Sequence, residues 1–119
     1  MTEPFPVTIF HNPACGTSRN VLEMVRAAGH EPEVVEYLKT GWDAEGLAAL
    51  FAEAGLTPRE ALRTKGDLAG ELGLLADGVS DGAILAAMVE HPVLVERPLV
   101  RTPKGVVLAR PKEKVLEVL

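Results

Sequence analysis

The chain has 119 residues and a single cysteine, Cys15, set in the segment His11-Asn12-Pro13-Ala14-Cys15-Gly16-Thr17-Ser18-Arg19. A β-prone run, Val7-Thr8-Ile9-Phe10, precedes this segment. Residues repeating at helical spacing, Val21, Leu22, Val25 and Ala28, follow it. A thiol between a strand end and a helix start meets free backbone N–H groups and the positive end of the helix macrodipole, and both favour the thiolate. The chemistry on offer is therefore nucleophilic or redox. An ordinary cysteine is only a few per cent thiolate at neutral pH, so even a modest shift multiplies its reactivity. A cysteine serving as a small hydrophobe would more naturally sit in an apolar run than beside Asn12, Gly16, Thr17, Ser18 and Arg19. His11 and Ser18 are auxiliary candidates. His11 could donate to the thiolate or hold the loop, and Ser18 could help position the thiol or, like Thr17, cap the helix.

With one cysteine, no internal disulfide and no Cys-x-x-Cys pair can form, so redox chemistry must borrow its second thiol from another molecule. A lone free thiol suits a reducing cytoplasm. Met1 to Pro6 shows no basic-then-apolar leader pattern, and no apolar run approaches the ~18 residues of a membrane span. Cys15 with His11, His30 and His91 matches no zinc spacing. A cysteine phosphatase loop would place arginine six positions after the cysteine, where this chain has Val21. No glycine-rich phosphate-binding motif of a nucleotide site is present.

The arginines add a second chemical feature. Arg97 and Arg110 each precede a proline, which restricts the backbone from which the side chain leaves. They flank a hairpin pattern, Leu99-Val100, a Thr102-Pro103-Lys104-Gly105 turn and Val106-Val107-Leu108. A two-residue turn would set Arg97 opposite Arg110. Proline fits such a turn poorly, so a three-residue loop ending in a left-handed Gly105, with the pairing shifted by one, is the expected form. Like charges brought close on paired strands are unfavourable unless an anion compensates them. The formal net charge is −5, which argues against a broad nucleic-acid-binding face. Residues 97–119 nonetheless hold six basic against two acidic residues, whereas residues 1–96 hold six against fifteen.

The elements needed to position these groups can be read in order. A strand, the Cys15 loop and a helix ending near Gly29 lead into a second strand around Val34 and Val35, running toward Tyr37, a βαβ pattern. Asp43 can cap a helix carrying Leu47, Leu50, Phe51 and Ala54, stopped by Gly55. Thr57-Pro58-Arg59-Glu60 has the form of a capping box and predicts a helix carrying Leu62 and Arg63. A short helix is expected within Gly66 to Gly78. Another follows Ser80 with Ile84, Leu85, Met88 and Val89 and ends at His91-Pro92. After the hairpin, Arg110-Pro111 opens a last helix with Val115, Leu116 and Leu119 inward. The expected architecture is one α/β domain over residues 1–119. In it a βαβ unit and a ββα unit, joined by a helical insertion, form a four-stranded mixed sheet flanked by helices, the thioredoxin-like plan.

With these residues assembled, the chain resembles the glutaredoxin-linked arsenate reductases along essentially its whole length. HNPACGTSRN, His11 to Asn20, is the most specific match; EALR at Arg63, HPVLVERPLV from His91 to Val100, and LARP from Leu108 to Pro111 also look like family segments. The resemblance implies a thioredoxin-like fold and Cys15 as the nucleophile. It implies that Arg63, Arg97 and Arg110 bind the oxyanion, and that the Arg97-Pro98 bond is cis. It also implies arsenate as substrate, glutathione as co-substrate, glutaredoxin as thiol-donor partner, no bound cofactor or metal, and a cytoplasmic monomer that contacts neither nucleic acid nor membrane. The family often has a longer C-terminal tail than this chain, which stops at Leu119. Two other readings use the same residues. Non-enzymatic regulators of the same broad family typically carry a Cys-x-x-Cys switch, where this chain has Ser18 three positions after Cys15. A glutathione-dependent thiol reductase with another substrate would keep Cys15 but would not need three arginines.

Overall fold

Short β-branched runs pair into a four-stranded sheet of order β2-β1-β3-β4 in a computed structural model that describes residues 5–119. The leader expectation at Met1 to Pro6 falls mostly outside the described residues. Strand β1 (Thr8–Phe10) runs parallel to β2 (Glu33–Val35) and antiparallel to β3 (Leu99–Thr102), which is antiparallel to β4 (Gly105–Leu108). A parallel pair needs a crossover, and helix α1 (Gly16–Ala27) supplies it. Ile9 stands opposite both Val34 and Val100, and the register places this row on one face of the sheet. Ile9 and Val100 are fully buried there with Val21 and Val25 of α1 and with Val115 and Val118 near the C-terminus. Each such aliphatic side chain contributes roughly 1.5–3 kcal/mol of burial, before ordering entropy is subtracted. The second strand ends at Val35 rather than near Tyr37, because Tyr37 begins the short helix α2 (Tyr37–Thr40) and buries its ring.

The chain divides into two compact units. One comprises residues up to Thr40 together with Arg97–Leu119 and contains the sheet; the other is Gly41–Glu96. The second unit is helical: α3 (Ala44–Ala54), α4 (Leu68–Glu71) and α5 (Asp81–Glu90). Its caps match the sequence signals. Asp43 Oδ2 accepts the Gly46 N–H at 3.0 Å, and Ser80 Oγ accepts the Ala83 N–H at 3.1 Å. Gly55 closes α3 in the left-handed region (φ 69°), which a residue with a Cβ would enter at a cost. Leu47, Leu50 and Phe51 of α3, and Ile84 and Met88 of α5, are buried where these two helices pack.

Three expectations are corrected. The Thr57–Glu60 capping box forms reciprocally, Thr57 N–H to Glu60 Oε1 at 3.0 Å and Glu60 N–H to Thr57 Oγ1 at 3.2 Å, yet no helix follows. Leu62 instead pairs with Val95 as an isolated bridge, and the Arg63 N–H goes to the Leu94 carbonyl at 2.7 Å. Pairing with a distant segment thus overrides the local helix signal. The hairpin turn has two residues, Pro103 and Lys104, because Thr102 pairs with Gly105. The Thr102 hydroxyl accepts the Lys104 N–H at 3.0 Å, and Gly105, the first residue after the turn, has a positive φ (138°). Finally, the last helix is a 3₁₀ helix (Lys112–Glu117), whose three-residue repeat turns Val115 and Val118 inward and leaves Leu116 59% exposed.

Candidate active site

Helix α1 begins at Gly16, and Cys15 itself, with extended backbone (φ −94°, ψ 122°), occupies the N-cap position expected of Thr17 or Ser18. The sulfur stands where a serine or aspartate cap would present an oxygen, so the first-turn N–H groups face it. Burial pushes the Cys15 thiol up. The Ser18 N–H, a hydrogen bond and the positive charge from Arg97, and the Thr17 N–H together outweigh burial and hold it below the ordinary cysteine value. A larger share of Cys15 is therefore thiolate at neutral pH than in a free peptide.

The loop before the helix is tied internally. The Asn12 carbonyl accepts the Cys15 N–H at 3.0 Å, and Asn12 Oδ1 accepts the Ala14 N–H at 2.9 Å. His11 extends the β1–β2 ladder by donating its N–H to the Val35 carbonyl at 2.8 Å. Its ring is buried, and Nδ1 lies 2.6 Å from Ser18 Oγ. Burial lowers the His11 pKa, Glu36 opposes this, and Arg19 and Arg26 lower it further, so the site favours the neutral ring. Arg19 is held on the loop by a 2.8 Å hydrogen bond from Nη1 to the Pro13 carbonyl.

Arg97 is only 8% exposed, and its Nε and Nη1 are buried with no hydrogen-bond partner among the described residues. Buried polar groups are nearly always paired, and a guanidinium is never neutral in a protein. Two donors left over beside the Cys15 sulfur have the chemistry to hold an anion. The Arg97-Pro98 peptide bond is cis, as the resemblance implied; Arg110-Pro111 is cis as well, which was not expected. Arg110 Nη1 donates to the Arg97 carbonyl at 2.9 Å, so the residues flanking the hairpin lie side by side as their positions suggested. Cys15, Arg97, Arg110, His11 and Ser18 all belong to the unit that holds the sheet. Arg63 belongs to the other unit, where its Nη1 donates to Glu96 Oε1 at 2.7 Å in a largely buried ion pair. Glu96 was not singled out from the sequence; an acid immediately before Arg97 was the available signal. Among the described residues, no three His, Cys, Asp or Glu side chains gather as a metal site requires, and no helix is long and apolar enough to cross a membrane.

A cysteine at the N-cap of the helix after β1, beside an arginine that precedes a cis-proline next to β3 in a four-stranded mixed sheet, places the molecule among the thioredoxin-like proteins. Comparison with known proteins narrows this. The ArsC family model matches residues 10–118, and the chain belongs to that family. It is 58% identical over 119 residues to an arsenate reductase of Synechocystis sp., covering 100% of this chain and 82% of that protein. It is 47% identical over 113 residues to arsenate reductase of Escherichia coli K12, covering 95% of this chain and 80% of the relative. The solved structure of arsenate reductase from Vibrio cholerae superposes with a TM-score of 0.93 at 41% identity, covering 98% of this chain and all of that one.

Proposed function

We propose that this protein is an oxidoreductase that reduces arsenate to arsenite with glutathione and glutaredoxin as thiol donors, serving arsenic detoxification. The observation that carries the proposal is the buried Arg97 guanidinium, with Nε and Nη1 unpartnered among the described residues, next to the stabilised Cys15 thiolate. Arg97 and Arg110 hold the arsenate oxygens through charge-assisted hydrogen bonds. Arg63 is assigned as a third donor on the family resemblance.

The Cys15 thiolate attacks arsenic, a sulfur–arsenic bond forms, and one arsenate oxygen leaves as water after protonation. Glutathione thiolate then attacks the Cys15 sulfur. The sulfur–arsenic bond breaks with its electron pair going to arsenic, which leaves as arsenite. The two sulfurs have lost two electrons and remain joined as a Cys15–glutathione mixed disulfide. Glutaredoxin removes the glutathione by thiol–disulfide exchange and restores the Cys15 thiol. The lack of a second cysteine in the chain agrees with an external resolving thiol. No metal or bound cofactor takes part in this sequence of steps. Residues 1–119 act as one domain, as a monomer in the cytoplasm, where glutathione is reduced.

The test is a coupled assay containing the protein, glutathione, glutaredoxin, glutathione reductase and NADPH. Addition of arsenate is expected to start NADPH oxidation, with arsenite formed one for one. No arsenate-dependent rate would refute the proposal.

A further inference from the structure

We propose that Ser18 is a positioning residue whose buried hydroxyl ties the end of β1 to the first turn of α1, thereby holding the N–H groups that face Cys15. Ser18 has no solvent exposure. Its Oγ accepts the Asn12 N–H at 3.1 Å and lies 2.6 Å from His11 Nδ1, closing links across six and seven residues of chain. Its own backbone N–H is the largest of the contacts favouring the Cys15 thiolate. One side chain thus joins the strand end, the loop and the helix turn that carries the thiolate's donor.

A serine hydroxyl has one proton and two acceptor positions. The Asn12 N–H occupies one acceptor position, and the hydroxyl shares one proton with His11 Nδ1 in the 2.6 Å contact, in a sense set by the ring's tautomer. Alanine at position 18 fills nearly the same space but leaves the Asn12 N–H and His11 Nδ1, both in buried residues, without this partner. The helix turn then loses its tether, and its N–H groups lose their fixed distance to the sulfur. The charged side chain facing Cys15 is Arg97; those facing His11 are Glu36, Arg19 and Arg26. None of these is altered by the substitution.

Two readouts on the full chain test this role: the pH midpoint of Cys15 alkylation by iodoacetamide, and kcat/KM for arsenate across the same pH range. Ser18→Ala is expected to raise the alkylation midpoint by about one pH unit. Below the wild-type midpoint kcat/KM then falls about tenfold, and it returns to within about twofold of wild type once both proteins are fully thiolate. Ser18→Thr keeps the hydroxyl and is expected to keep the wild-type midpoint. An unchanged midpoint in Ser18→Ala, or a loss of the same factor at every pH, would overturn the assignment. Only the kcat/KM readout rests on the reductase reading. The alkylation midpoint uses no arsenate and decides the positioning role even if that reading fails.

Discussion

Cys15→Ser is expected to stay folded and to lose arsenate-dependent turnover by at least about a thousandfold, to the background of the coupled assay. The substitution replaces one atom at a helix N-cap, where serine is a favoured residue, so stability should hold or rise slightly. The chemistry cannot survive it. A serine hydroxyl remains protonated at neutral pH even with the Ser18 and Thr17 N–H groups and Arg97 around it. An oxygen ester with arsenic, if one formed, could not give up two electrons by joining glutathione as a disulfide. The loss is therefore expected in kcat as well as kcat/KM, and it should not be recovered at high pH. Urea unfolding checks the first half of this expectation and the coupled assay the second.

Arg97→Ala should likewise separate function from folding. The proposed oxyanion site would lose two charge-assisted hydrogen bonds, which corresponds to about 10²–10³ in kcat/KM. Stability is expected to change by no more than about 1 kcal/mol in either direction. The Nε and Nη1 groups have no partner to lose among the described residues, and the carbonyl that receives Arg110 Nη1 belongs to the backbone and remains. The pH profile carries a sign. Arg97 helps hold the Cys15 thiol below its ordinary value, so its removal raises that pKa and shifts the rising limb of activity to higher pH. Raising the pH restores the thiolate but not the arsenate donors, so recovery is partial. Parallel loss of activity and stability would make Arg97 a structural residue instead.

Much of this site was legible because its signals are local. The Cys15 loop follows a β-branched strand and precedes a periodic helix, and Asp43, Gly55 and Ser80 mark helix ends where the structure has them. The errors arose where distant segments decide. The Thr57 capping box forms, but the helix it announces yields to the Leu62–Val95 bridge, which no local pattern encodes. The 3₁₀ geometry of Lys112–Glu117 exchanges Leu116 for Val118 in the core, because it has about 0.6 fewer residues per turn than an α-helix. Cys15 was expected just before a Thr17 or Ser18 cap because cysteine is not a usual N-cap. Cys15 nonetheless takes the N-cap position itself, with the Ser18 and Thr17 N–H groups favouring its ionised form. The partnership of Arg63 with Glu96 spans 33 residues and depends on tertiary contacts. Arg97 was identified by its place before proline; its burial and its two unpartnered donors required the fold.

Arsenate bound beside Cys15 is expected to drive oxidation of that one thiol by glutathione. Intact-mass and peptide mass spectrometry of the protein incubated with reduced glutathione, with and without arsenate and with glutaredoxin omitted, tests it most directly. The expected result is a single glutathione adduct on the Cys15 peptide that accumulates only when arsenate is present. An adduct that forms equally without arsenate, or none with it, would contradict the account.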